Sequence, residues 1–290
     1  MRSIIYILIC AICFYSCEDV VDVDLPEPQS NLVVQAVLKI NEVNFNELRI
    51  SVTNVAPYFG EITTGTIETV QIFNEVGGGA SFLVADPEVP GDYIPGSDGV
   101  PNPQQLLLTP GFNPEDRIIL TFRSEEELYL AVTQFVPVVE LIEIRQVLDT
   151  DVEDGVELEI TIKDIPEMEN FTIFDFGNGR FTTIDDEFID GQEFTFTVTI
   201  DEEDITNNEI TLSMYSADEE FYRYMNQLIE QAERSEDPIF QIPASTARGN
   251  ILKLEEIDNI DLFNNVGRPD EFVQGYFAIV GEVKQTIVLQ

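Results

Sequence analysis

Three runs of carboxylates are the densest chemical features of the sequence: Asp149-Thr150-Asp151-Val152-Glu153-Asp154-Gly155, Asp185-Asp186-Glu187 and Asp201-Glu202-Glu203-Asp204. Carboxylates at alternate positions can converge on a hard cation, so the first run resembles the start of a calcium loop. It then departs from one, because its glycine comes one place too late and Ile160 stands where a bidentate glutamate is needed. A turn between strands is the expectation there, and the other two runs read as solvated turns flanking strands. A pair of carboxylates can also hydrolyse a glycosidic bond without any other residue type. Nothing selects such a pair among 55 Asp and Glu, and with no Trp a sugar platform would fall to Tyr and Phe. The chain has no His, which removes Ser-His-Asp and Cys-His catalysis and imidazole zinc sites. No Ser-x-x-Lys motif supplies a lysine base in its place. The sequence therefore points to a protein that is not an enzyme, with no metal site and no cofactor.

The charge balance narrows the partners. Only 14 Lys and Arg oppose the acids, for a net charge of −41 at pH 7. Such a surface repels phosphates, so nucleic acid is excluded as a partner. Disorder is not implied, because 44% of residues are hydrophobic and 20 are Phe, enough for one or two cores.

The amino terminus reads as an address. Arg2 precedes an apolar run from Ile4 to Phe14, and Ser16 stands before Cys17. The run is too short for a bilayer core, which takes about 20 apolar residues, so residues 1–16 are read as a lipoprotein signal peptide. Cys10 and Cys13 would leave with it. Cys17 then remains as the sole cysteine and is read as the lipid-bearing anchor, with no intrachain disulfide possible. Residues 17–30 form an acidic tether. Its leading Glu18 and Asp19, followed by Asp22 and Asp24, resemble the acidic export signal of Bacteroidota surface lipoproteins, and Pro26 and Pro28 keep the segment extended.

From Asn31 onward the pattern is that of strands. Runs rich in Val, Ile, Thr and Phe recur at Leu32–Leu38, Leu48–Val52, Thr66–Phe73, Ala80–Val84, Arg117–Phe122 and Glu127–Phe135. Seven prolines between Asp86 and Pro114 predict a long surface loop, broken by a tight turn at Pro90-Gly91-Asp92. Beyond Pro137, further strands are expected at Val138–Val147, Val156–Ile162, Phe194–Ile200, Glu209–Tyr215 and in the tail from Tyr276 to Leu289. One helix stands out, over residues 218–234. Phe221, Tyr222, Met225, Leu228, Ile229 and Ala232 form its apolar stripe, Ser216 and Glu219 its capping box, and the stripe is expected to pack on a sheet. The fold class is mainly β: two β-sandwich domains, immunoglobulin-like or transthyretin-like, over 31–135 and 136–290, the second carrying the amphipathic helix.

Several segments together resemble a known family. They are Val23-Asp24-Leu25-Pro26 and Leu32-Val33-Val34-Gln35, the helix Glu220-Phe221-Tyr222-Arg223-Tyr224, then Asp237-Pro238-Ile239-Phe240-Gln241-Ile242-Pro243, Arg248-Gly249-Asn250-Ile251 and Gly275-Tyr276-Phe277-Ala278. In that order they are similar to the Bacteroidota outer-membrane lipoproteins known as domain of unknown function 4249. The stretch from Ile251 to Asp270 departs from the family pattern. The resemblance implies a lipid-anchored outer-membrane protein, exposed at the cell surface. It further implies a non-catalytic accessory or ligand-capture role beside a TonB-dependent barrel. The candidate contact residues come from the sequence itself: Tyr93 and Phe112, read as exposed aromatics of the proline-rich loop, and Phe240 of the Pro238–Pro243 segment. A structural or assembly lipoprotein is the alternative, and a carboxylate-only glycan hydrolase the third.

Overall fold

The computed structural model describes residues 32–40, 49–55, 61–76, 80–102, 116–148, 155–169, 171–185, 187, 189–235 and 247–290. The first half of the chain supplies β1 (Leu32–Ile40), β2 (Ile50–Asn54), β3 (Thr63–Thr64), β4 (Glu68–Asn74), β5 (Ala80–Ala85), β6 (Asp92–Ser97), β7 (Val100–Pro101), β8 (Arg117–Ser124) and β9 (Glu127–Gln134). The second supplies β10 (Glu140–Val147), β11 (Gly155–Lys163), β12 (Phe171–Asp175), β13 (Phe181–Asp185), β14 (Glu193–Asp201), β15 (Glu209–Ala217), the helix α1 (Glu219–Ser235), β16 (Leu252–Lys253) and β17 (Gln274–Val288). The protein is mainly β, as its alternating apolar runs require.

One sheet runs β13-β12-β15-β17-β1-β2-β6-β5-β4-β8-β9-β16, and β10-β11-β14 form a second. Between β17 and β9 the large sheet curls until its ends meet. The inward residues of β1 (Val34, Ala36, Leu38), β4 (Val70, Ile72), β8 (Ile118, Leu120, Phe122) and β17 (Phe277, Ile279) then share one core. The seam between β9 and β17 is closed by the chain from Asn250 to Lys253. The Asn250 amide donates to the carbonyls of Val132 (3.0 Å) and Phe277 (2.8 Å), and its oxygen accepts the Phe277 N–H (2.9 Å). Beside it Val273 N–H donates to Ile251 O, and β16 pairs with β9. One side chain thus satisfies three backbone groups that would otherwise form a raw sheet edge.

Two glycines make the seam possible. A methyl on Gly249 would stand 2.1 Å from the Gly275 carbonyl, and one on Gly275 would stand 2.1 Å from the Val34 carbonyl. Gly275 also has φ +97, a conformation that L side chains rarely adopt.

The last strand belongs to both halves. The first part of β17 pairs parallel with β1, from Val33↔Gln274 to Ile40↔Gly281, and the second part antiparallel with β15, from Tyr215↔Glu282 to Glu209↔Val288. Phe277 and Ile279 point into the first core, and Val283 and Ile287 on the same face reach the second. That second core lies between β12, β15 and β17 on one side and β10, β11 and β14 on the other, with Phe174, Leu212 and Met214 facing Leu158, Ile160 and Ile200. Phe194, Phe196 and Val198 pack against it, as the alternation along that segment predicts. The division expected at 135/136 is crossed by Ile251, Val273, Phe277 and Ile279, which complete the first core from the far end of the chain.

Two local expectations are corrected and one unexpected hairpin is added. The segment Asp92–Ser97 is not loop: it is β6, paired with β2 through Ile50↔Tyr93 and with β5 through Leu83↔Pro95. Pro95 is tolerated because its carbonyl, and with it the side where an N–H is missing, faces the short β7 hairpin, where it accepts from Asn102. The expected turn before β6 is present, with Asp92 N–H on Val89 O. Ser216 lies in β15 and accepts the Val139 N–H, so it is not a helix cap; Asp218 is, accepting the Phe221 N–H at 2.8 Å. The hairpin β12–β13 went unassigned, although Gly177-Asn178-Gly179 between two short Phe/Thr/Ile runs is its turn signal.

Replacing Asn250 by Ala strands three backbone groups at the seam and is expected to lower the unfolding free energy by about 2–4 kcal/mol in urea denaturation. A loss below about 0.5 kcal/mol would show that the sheet closes without it.

Candidate functional site

The face of β17 that turns away from the cores carries Tyr276, Ala278, Val280 and Glu282, and α1 lies across it. Phe221 and Met225 anchor the helix, Tyr222 stacks on Phe171 with ring centroids 4.5 Å apart, and Tyr224 meets Tyr276 at 4.8 Å. Burial fades along the stripe: Phe221 is 1% exposed, Met225 7% and Leu228 37%. The helix therefore packs on the sheet by its first turns, and its later turns stand over an open cleft of ≈ 1080 Å³. The stripe expected to be core is core for half its length and cleft wall for the rest.

The floor of this cleft is the outward face of β1 and β2 (Gln35, Val37, Lys39, Arg49, Ser51) with Tyr215 and Tyr276, and its far rim is β13 with the end of β14. Each cation there is held by two carboxylates. Lys39 Nζ lies 3.3 Å from Asp175, 3.8 Å from Glu282 and 4.4 Å from the centre of the Tyr215 ring. Arg49 binds Asp92 and, at 3.1 Å, Asp86. Arg180 binds Asp201 and, at 3.1 Å, Asp204. With Glu203 on the rim, four carboxylates (Asp175, Asp201, Glu203 and Asp204) and three cations line the cleft, and Asp86, Asp92 and Glu282 stand behind the cations. Burial, reinforced by Asp175 and Glu282, pushes the Tyr215 phenol far up, and burial does the same to Tyr276, so both rings stay neutral. The Ser213 hydroxyl stands 3.4 Å from Lys39 but donates to Glu282, while Lys39 donates to it. These bonds link β1, β15 and β17 in one network.

On the other flank of α1 a second cleft of ≈ 940 Å³ runs between the helix start, the end of β9 and the segment 261–269. Asp218 and Glu220 line it, and burial raises both carboxyls above their ordinary range; for Glu220 the Asp218 charge adds to the effect. Asp218 accepts the Thr133 hydroxyl (3.3 Å) and the Phe221 N–H, so its oxygens tie the helix to β9. Arg248 binds the fully buried Asn265, whose amide donates to the carbonyls of Arg268 and Glu271. This fixes the segment from Ile251 to Asp270, on which Ile260, Leu262 and Val266 are each at least 70% exposed.

A family model described as Domain of unknown function (DUF4249) matches residues 18–286. The chain belongs to this family. No curated protein matches it.

Three of the segments that carried the resemblance, Leu32–Gln35, Arg248–Ile251 and Gly275–Ala278, meet in this DUF4249 protein at one place. Val34 of β1 abuts Gly275, Gly275 abuts Gly249, and Asn250 bonds Phe277. Those motifs build the seam, and Tyr276 beside it lines both clefts.

The other residues marked in the sequence fare differently. Tyr93 is not an exposed loop residue: it is 6% exposed in β6, and its hydroxyl accepts the Ile67 N–H at 2.8 Å. Cys17, Glu18, Asp19, Phe112 and Phe240 lie outside the described residues, as does most of the run from Asp149. The run Asp201–Asp204 ends β14 and enters a 3-10 turn, and two of its members grip Arg180. Among the described residues no three Cys, Asp or Glu side chains converge to hold a metal ion. Nor is any helix among them long and apolar enough to cross a membrane. Lys39, Arg49 and Arg180 were missed, because their partners lie at sequence distances that no motif spans.

The raised Asp218 carboxyl gives a pH signature. The folded state holds its proton more tightly than the unfolded chain, so its contribution is complete below the ordinary carboxylate range and is lost as pH rises through the raised value. Asp218→Asn keeps a capping side chain and removes this titration. Its melting temperature, followed from pH 4 to pH 7, is expected to fall less with rising pH than that of the parent protein. An unchanged slope would place the titration elsewhere.

Proposed function

We propose that the protein is an outer-membrane lipoprotein of Bacteroidota type, anchored through a lipid on Cys17 and exposed at the cell surface. In this reading it is a non-catalytic accessory or ligand-capture subunit of a TonB-dependent transporter. The observation that carries the anchoring is Cys17 itself, the sole cysteine outside the leading segment, set between an apolar run and the acids Glu18 and Asp19. Membership of DUF4249 supports the comparison with envelope lipoproteins. The two clefts beside α1 support a binding role: both are open, and Lys39 in one and Asp218 in the other are held by structural bonds.

The two cores are read as two sandwich units that share β17. A tether of the length of residues 17–30 would hold such units close to the membrane and to a neighbouring barrel at high effective concentration.

Purification of the tagged protein from outer membranes in mild detergent is expected to recover a stoichiometric TonB-dependent barrel, identified by mass spectrometry. Cys17→Ala is expected to abolish labelling by a radioactive fatty acid and to release the protein from the membrane. Recovery of envelope-assembly machinery in place of a barrel would favour the structural alternative, and fatty-acid labelling of the Cys17→Ala protein would refute the anchor.

A further inference from the structure

The cleft beneath α1 combines three properties that select one kind of occupant. Its volume of ≈ 1080 Å³ lies just above the ~300–1,000 Å³ range of small-molecule pockets and suits several residues of an extended chain. Its upper wall is apolar, formed by Met225, Leu228 and Ile229, with Phe181 and Val198 across from them. Its charge is negative even though cations line it. Lys39, Arg49 and Arg180 are each gripped by two carboxylates, so an incoming anion would meet neutralised cations and surplus acids. A cation would meet Glu203, which is exposed at the rim.

We infer that this cleft receives a basic peptide segment of a partner protein, with Lys or Arg side chains directed to the acidic rim and alternate apolar side chains laid against Met225, Leu228 and Ile229. This assignment rests on the reading of the protein as a binding subunit and adds the chemistry of what is bound. Exposed charge pairs are individually weak, so the apolar wall supplies most of the affinity and the charges supply selectivity.

The test uses the full-length lipidated protein in detergent and a dye-labelled octapeptide of alternating Lys and Leu, followed by fluorescence polarisation. Binding is expected, and it should weaken at least about tenfold when the lysines are acetylated or when salt is raised from about 50 to about 500 mM. The same peptide with Glu in place of Lys should not bind. Glu203→Lys combined with Leu228→Lys, both at exposed positions, should weaken the lysine peptide at least about tenfold. Glu126→Lys combined with Val100→Lys makes the same charge change away from the cleft and should leave affinity within about twofold.

Three results would overturn the assignment: no binding of the lysine peptide at about 1 mM, equal binding of its acetylated form, or equal weakening by both double variants, which would reduce the effect to the overall charge. Self-association abolished by Leu228→Lys in sedimentation would give the cleft to a second copy instead. Failure of the peptide while a barrel is still recovered removes this ligand and leaves the accessory role. Peptide binding without a barrel does the reverse.

Discussion

The structure depends on the seam at which Asn250 joins β9 to β17. A curled sheet must end somewhere, and an unpaired end exposes backbone donors and acceptors that water or another chain would claim. Here a single primary amide does the work of a missing strand, giving two hydrogen bonds and taking one. It can do so only because Gly249 and Gly275 let three backbones approach more closely than any Cβ would allow. The same approach brings the first and last described strands together as parallel neighbours, so the first core cannot be completed until β17 has been made.

From that closure the rest follows through β17. A strand presents alternate residues to opposite faces, and this one is long enough to serve two cores with one face and the helix with the other. Phe277 and Ile279 fill the first core, Val283 and Ile287 reach the second, and Tyr276, Ala278 and Val280 carry α1. The helix is pinned at its start by Asp218 and the aromatic cluster, and its apolar face outruns the surface available to cover it. The larger cleft results from that mismatch in length, and its polar floor is the part of β1 and β2 that faces away from the core.

Charge is arranged with the same economy. With acids outnumbering bases, a cation that enters a cleft is surrounded. Doubly held cations order loops: Arg180 fastens the β12–β13 hairpin to the end of β14, and Arg49 fastens β2 to the turn before β6. The runs of acids that first suggested metal or acid–base chemistry are, where described, such fastenings and turns.

The sequence by itself determined the class of the fold. Period-two alternation in Leu32–Leu38 or Phe194–Ile200 and the 3.6-residue stripe of Phe221, Met225 and Leu228 are local consequences of burying one face, so they can be read without knowing the partner. The absence of His, the excess of acid and the position of Cys17 are likewise properties of composition and order. Short strands with weak alternation escaped: β6 is interrupted by Pro95, which only an edge facing the short β7 accepts, and the hairpin β12–β13 has five residues a side. What only the tertiary structure decided is which residues meet. The bonds of Lys39 to Asp175 and Glu282, and of Asn250 to Val132 and Phe277, join positions far apart in the chain. Neither pairing leaves a local pattern, because each depends on where the sheet brings its ends together. Tertiary pairing likewise turned Tyr93 inward, between β2 and β5.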